Sequence, residues 1–226
     1  MGLIKTTAFF SLAVQIVTAI IDGYVLTMPV AMEYILLKQL LWMEFVVQII
    51  EGIFYVWLAL NIANATNITR KRYWDWSITT PVMLITLSSY LIYLKIKESG
   101  SSAMPDFFDV AEENFTNFAK IVILNGMMLL FGYLGEINVL KTSTSVLAGF
   151  IPFLAMFYLI YDCYAKHTTT GLTLFYYFLV IWSLYGVSAL LSYNWKNTCY
   201  NILDLFSKNF FGLFLAYILY TSSSAI

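Results

Sequence analysis

The sequence predicts an all-α membrane protein, a bundle of seven transmembrane helices, and three observations carry that prediction. The chain of 226 residues is 61% hydrophobic and only 11% charged, where an ordinary soluble domain carries roughly 25% charged residues. Its mean hydropathy is +0.78, and seven apolar runs reach the ~20 residues that a helix needs to cross the hydrocarbon core. Polar and ionisable residues inside four of those runs repeat at helical spacing, so those four have one polar face each. A net charge of −1 offers nothing to neutralise phosphates, which argues against nucleic acid as a partner.

The spans fall at about 6–28, 34–61, 73–95, 119–137, 143–165, 171–191 and 197–221, all in one domain over residues 1–226. The first ends at Met28-Pro29, because proline disfavours helix in the residue before it. A polar stretch with Arg70, Lys71 and Arg72 follows the second span. The third gives way to the one long loop, rich in Gly, Ser, Pro and acidic residues, ending near Asn114. Short polar segments around His167 and Asn194 separate the last three spans. Cys163 and Cys199 sit near opposite ends of different spans, so no disulfide is expected. His167 has no second histidine for a metal site, and nothing points to an enzyme.

An odd number of spans puts the termini on opposite sides. Basic loop residues fall five to a side: Lys38, Lys95, Lys97, Lys120 and Lys166 against Lys5, Arg70, Lys71, Lys141 and Lys196. Charge bias therefore leaves orientation open. Sequons at Asn64 and Asn67 are set against another at Asn114 in the opposing loop, and also leave it open.

Ionisable residues at bilayer depth are expensive, and their default reading is a functional site. In the seventh span Asn197, Asn201, Asp204 and Lys208 form one stripe. The third span aligns Arg72, Asp75, Thr79 and Thr86; the second, Glu44, Gln48, Glu51 and Tyr55; the first, Ser11, Gln15, Thr18 and Asp22. Interhelical hydrogen bonding explains the Ser, Thr and Asn well. It explains Lys208 poorly, because a buried amine needs a counter-charge or a covalent fate. Asp204 lies one turn away and Asp75 comes from the third span. Such a charge-balanced core suits an ion-coupled transporter, and equally a protonated Schiff base held by carboxylates.

The segment Arg72-Tyr73-Trp74-Asp75-Trp76-Ser77-Ile78-Thr79-Thr80-Pro81 resembles the third-helix signature of the microbial rhodopsins, and Asp204-Leu205-Phe206-Ser207-Lys208 resembles their Asp-x-x-x-Lys. Trp182-Ser183-Leu184-Tyr185 and Asn125-Gly126-Met127-Met128 with Gly132 are similar to the family's sixth- and fourth-helix pocket segments. The resemblance implies a bundle of the microbial rhodopsin type, from a divergent branch, with all-trans retinal as a protonated Schiff base on Lys208. It implies Asp75 and Asp204 as counterions, Asp75 as proton acceptor, Arg72 outside that pair and Thr79 hydrogen-bonded to Asp75. Trp76, Thr80, Met128, Gly132, Trp182 and Tyr185 would line the chromophore. It further implies an N-terminus outside, a cytoplasmic C-terminus and a homo-oligomer in the lipid bilayer.

Departures from the family's pumps concern transport. Thr86 stands where pumps place a proton-donating carboxylate, Asn125 replaces another carboxylate, and Gly186 follows Tyr185 in place of a proline. Glu44 and Glu51 resemble the glutamates on the second helix of channelrhodopsins. Ser11, Gln15, Asp22, Glu44, Gln48, Glu51, Asn197 and Asn201 would line an ion pathway, and carboxylates along a pore favour cations. The expected function is a light-gated cation channel passing small cations or protons. The alternative is an outward proton pump with Asp22 or Glu44 as donor, and then a sensory photoreceptor.

Overall fold

The computed structural model describes residues 2–61, 67–101 and 104–223; the Asn64 sequon lies outside them. Among the described residues, seven helical stretches are long and apolar enough to cross a membrane. Helix α1 covers Gly2–Leu26, α2 Ile35–Asn61, α3 Ile68–Glu98, α4 Phe107–Glu113, α5 Phe115–Glu136, α6 Thr142–Cys163 and α7 Thr169–Ser188. The last span is α8, Tyr193–Asp204, continued through a π-helical turn at Leu205–Asn209 into α9, Phe210–Ser223. In hydrocarbon every backbone polar group must be satisfied internally, which is why these apolar runs are helical throughout.

Consecutive spans pack side by side, and the last one closes the ring against α1 and α2. The shared core includes Leu37, Leu41, Leu87, Phe157, Phe178, Phe211 and Leu215. Large apolar side chains such as Phe10, Ile53, Ile151 and Tyr217 point outward, as lipid-facing residues do.

The helix ends differ from the sequence expectation where local chemistry acts. Helix α1 stops at Leu26, two residues before the expected Met28, in a turn where Met28 N–H bonds the Val25 carbonyl at 3.0 Å. Helix α3 begins five residues before the expected position, which brings Arg72 inside it. It ends with Gly100 at φ 72°, the left-handed conformation that glycine adopts without strain. The long loop contains α4, which was not expected. Asp106 caps it, accepting from Phe108 N–H at 2.8 Å and Asp109 N–H at 3.0 Å, and Asp109 reaches back to Asp106 N–H at 3.3 Å. That reciprocal pair is a capping box, and Val110 buries the inner face of the turn.

Candidate functional site: a buried amine and the polar column beside it

The four polar stripes meet inside the ring. Lys208, on the π turn, donates from Nζ to Asp75 Oδ2 at 2.6 Å and lies 3.6 Å from Glu51 Oε1; all three side chains are buried. Asp204 pairs instead with Arg72, Nη1 to Oδ2 at 2.8 Å, with both side chains fully buried. Its carboxylate also accepts from Tyr55 Oη at 2.7 Å and Tyr185 Oη at 2.7 Å. The amine therefore meets Asp75 and Glu51 directly, whereas the sequence reading set Asp75 and Asp204 around it and gave Glu51 to the pathway. Two helical turns of α2 bring Glu51 to that depth, and no spacing rule within one helix reveals which neighbour it faces. Buried charges of this kind survive only when paired and hydrogen-bonded.

Thr79 departs from its expected role. Its hydroxyl donates to the main-chain carbonyl of Asp75 at 2.9 Å, not to the carboxylate. A helical threonine always has the carbonyl one turn back within reach, and that local bond wins. Thr80 does the same to Trp76 at 2.7 Å, while Asn125 Nδ2 donates to Thr80 Oγ1 at 2.8 Å.

Lys208, Trp76, Thr80, Met128, Gly132, Trp182 and Tyr185 all line one cavity, with Phe150, Phe153 and Gly186 among its further walls. Its lining of mostly apolar and aromatic side chains around one lysine fits an apolar ligand joined to an amine. Lys208, whose nitrogen is held by Asp75, contributes the charged group of the lining, and Met128, Gly132 and Phe150 belong to the wall formed by α5 and α6. Two glycines allow aromatic rings to close on it: a Cβ at Gly132 would stand 2.5 Å from Tyr73 Oη, and one at Gly186 2.7 Å from the Phe150 ring.

The other stripe residues form a column of separate polar clusters between α1, α2, α3 and the last span. At one end Thr69 donates to Asn197 Oδ1 at 3.3 Å. Next, Asn201 accepts from Arg72 through its side chain and from Ser11 Oγ through its main chain, the latter at 2.8 Å. Beyond the amine, Asn209 Nδ2 reaches Gln15 Oε1 at 3.1 Å, Thr18 Oγ1 at 3.2 Å and Gln48 Oε1 at 3.1 Å, and Gln15 Nε2 donates back at 3.0 Å. Further on, Thr86 donates to Glu44. Asp22 packs where a Cβ on Gly212 would stand 2.7 Å from its Oδ2.

Asn209 was missed in the sequence. A regular helix turns it about 100° away from Lys208 and off the stripe, whereas the π turn changes the register at that point. The available signal was an asparagine set against Phe210 and Phe211 in an apolar run. Tyr200 was missed as well: it is buried, stacks on Tyr185 at 5.6 Å and meets Trp76 edge-on at 5.2 Å. Cys163 and Cys199 are free thiols.

A family model described as bacteriorhodopsin-like protein matches residues 5–222. The green-light absorbing proteorhodopsin of Gamma-proteobacterium EBAC31A08 is 24% identical over 174 residues, which is 68% of this chain and 62% of that protein. The chain thus spans less than two thirds of the length of that curated relative. The crystal structure of viral rhodopsin OLPVRII superposes with a TM-score of 0.82 at 26% identity, covering 97% of this chain and 98% of that one. Xanthorhodopsin, described as a light-driven ion pump with dual chromophore, shares the fold with a TM-score of 0.74 at 16% identity, covering 99% of this chain and 94% of that one. The chain belongs to the bacteriorhodopsin-like family, the microbial rhodopsins, whose members are retinal photoreceptors and ion transporters built as integral multi-pass membrane proteins.

Proposed function

We propose that this chain is a light-gated cation channel, with retinal held in the all-trans form on Lys208 Nζ and the polar column as its ion route. The observation that carries this reading is Asn209. It follows Lys208 directly in the π turn and ties that turn to α1 and α2 across the column.

When bound, retinal supplies light absorption and a change of shape at the Lys208 nitrogen. Asp75, 2.6 Å from that nitrogen, is the group positioned to take its proton. Glu51 then faces a changed charge at 3.6 Å. A shift of the π turn by a fraction of a hydrogen-bond length loosens Asn209 from Gln15 and Gln48, because such bonds weaken steeply with distance and angle. The carboxyl groups of Glu44, Glu51 and Asp22 line the route, and such groups, once wetted and ionised, favour cations over anions. Arg72 and Asp204, locked to each other and to Tyr55 and Asn201, form a second constriction towards the N-terminal end of α1. That end faces outside in this reading.

A second reading rests on a different contact. Thr86, where pumps place a donor carboxylate, carries the Glu44 side chain on its hydroxyl. A carboxyl group is thereby restored near the donor position from a neighbouring helix, which would serve an outward proton pump.

Voltage clamp of an expressing cell separates the two. A photocurrent whose sign reverses with the cation gradient supports the channel, and one that stays outward at every accessible voltage supports the pump. Lys208→Ala given all-trans retinal should form no visible band sensitive to hydroxylamine. Colour persisting in that variant would refute the attachment site.

A further inference from the structure

The π turn at Leu205–Asn209 has Phe210 N–H bonded to the Leu205 carbonyl, five residues back. One inserted residue interrupts the regular i to i−4 ladder. A carbonyl left out of that ladder inside a bilayer finds no water and is strongly unfavourable if unpaired. At this turn Tyr177, on α7, donates its hydroxyl to the Phe206 carbonyl at 2.6 Å. Its ring packs on Phe210, centroids 4.6 Å apart, and meets Phe178 edge-on at 5.5 Å. The partner is thus a side chain on a different helix, and neither Tyr177 nor Phe206 lines the ligand cavity.

We propose that Tyr177 is a positioning residue that clamps the π turn in the dark state and releases it when the chromophore changes shape. Trp182 on α7 and Lys208 on the π turn both line the cavity. A ligand that changes shape between them displaces α7 relative to the turn. The Tyr177–Phe206 bond joins those two elements directly, and Tyr185 joins them again at Ser207, 2.7 Å away. Releasing Phe206 lets the inserted residue shift along the helix, and Asn209 shifts with it. Movement at the cavity wall would thereby reach the polar column through the backbone. This inference rests on the retinal-binding reading of Lys208, and the photocycle that tests it does not depend on whether the protein conducts or pumps.

The test is Tyr177→Phe, which removes the hydroxyl and keeps the ring on Phe210. The variant should form pigment with an absorption maximum close to that of the parent protein. Recovery of its photocycle should slow by roughly the factor of two to ten that one net hydrogen bond supplies. Light-minus-dark infrared spectra of protein carrying labelled tyrosine should contain a tyrosine band that Tyr177→Phe lacks. Tyr176→Phe, which alters an exposed neighbour, should leave both readouts as in the parent. Unchanged recovery and an unchanged tyrosine band in Tyr177→Phe would overturn the proposal. A colourless Tyr177→Phe would overturn it too, because the bond would then serve folding and not switching. If the parent protein itself forms no pigment, the retinal reading fails, and that result is distinct from either.

Discussion

Replacing Asn209 with alanine removes a side chain that bonds Gln15, Thr18 and Gln48 at 3.0–3.2 Å. Interhelical hydrogen bonds within membranes average about 0.6 kcal/mol each, so three such partners amount to about 2 kcal/mol. If those bonds hold the column closed, their loss moves the closed–open balance by roughly thirtyfold, since each 1.4 kcal/mol is about a factor of ten. Asn209 does not line the ligand cavity, so the absorption maximum should stay near that of the parent. Patch-clamp recording in darkness is the assay. The expected result is a leak conductance about thirty times that of the parent, with slower closing after a flash. A dark conductance and closing rate equal to the parent's would refute the reasoning that Asn209 is a gate.

Two further outcomes concern the charges. Asp75→Asn removes the anion 2.6 Å from Lys208 and should shift absorption to the red. Glu51→Gln, at 3.6 Å, should shift it less and alter relative cation permeability; absorption spectra and bi-ionic reversal potentials read the two effects separately. Arg72→Gln leaves Asp204 without its partner at zero exposure. Breaking a buried pair costs about 3–5 kcal/mol, so the pigment should bleach at a clearly lower temperature on heating.

The helices and their polar faces were legible in the sequence, because the bilayer fixes span length and the 3.6-residue period fixes which side chains share a face. That is why Asn197, Asn201, Asp204 and Lys208 could be read as one stripe. What a stripe faces is not written in it. Glu51 reaches the amine and Asp204 turns to Arg72 because of how α2, α3 and α8 are set against one another. Asn209 and Tyr177 were illegible for a different reason. Both depend on one inserted residue at Leu205–Asn209, a departure from the regular period that pattern reading assumes. Helix α4 was read as loop because of the Gly, Ser, Pro and acidic residues of its segment, and the Asp106 to Asp109 spacing of a capping box was overlooked.

Passive, light-gated conduction through the polar column is tested most directly at zero voltage in a bilayer with identical solutions on both sides. A channel has no driving force there, so illumination should give no sustained current, and one should appear in either direction once a cation gradient is imposed. A steady current in the symmetric bilayer, always of one sign, would contradict the account and make the chain a pump.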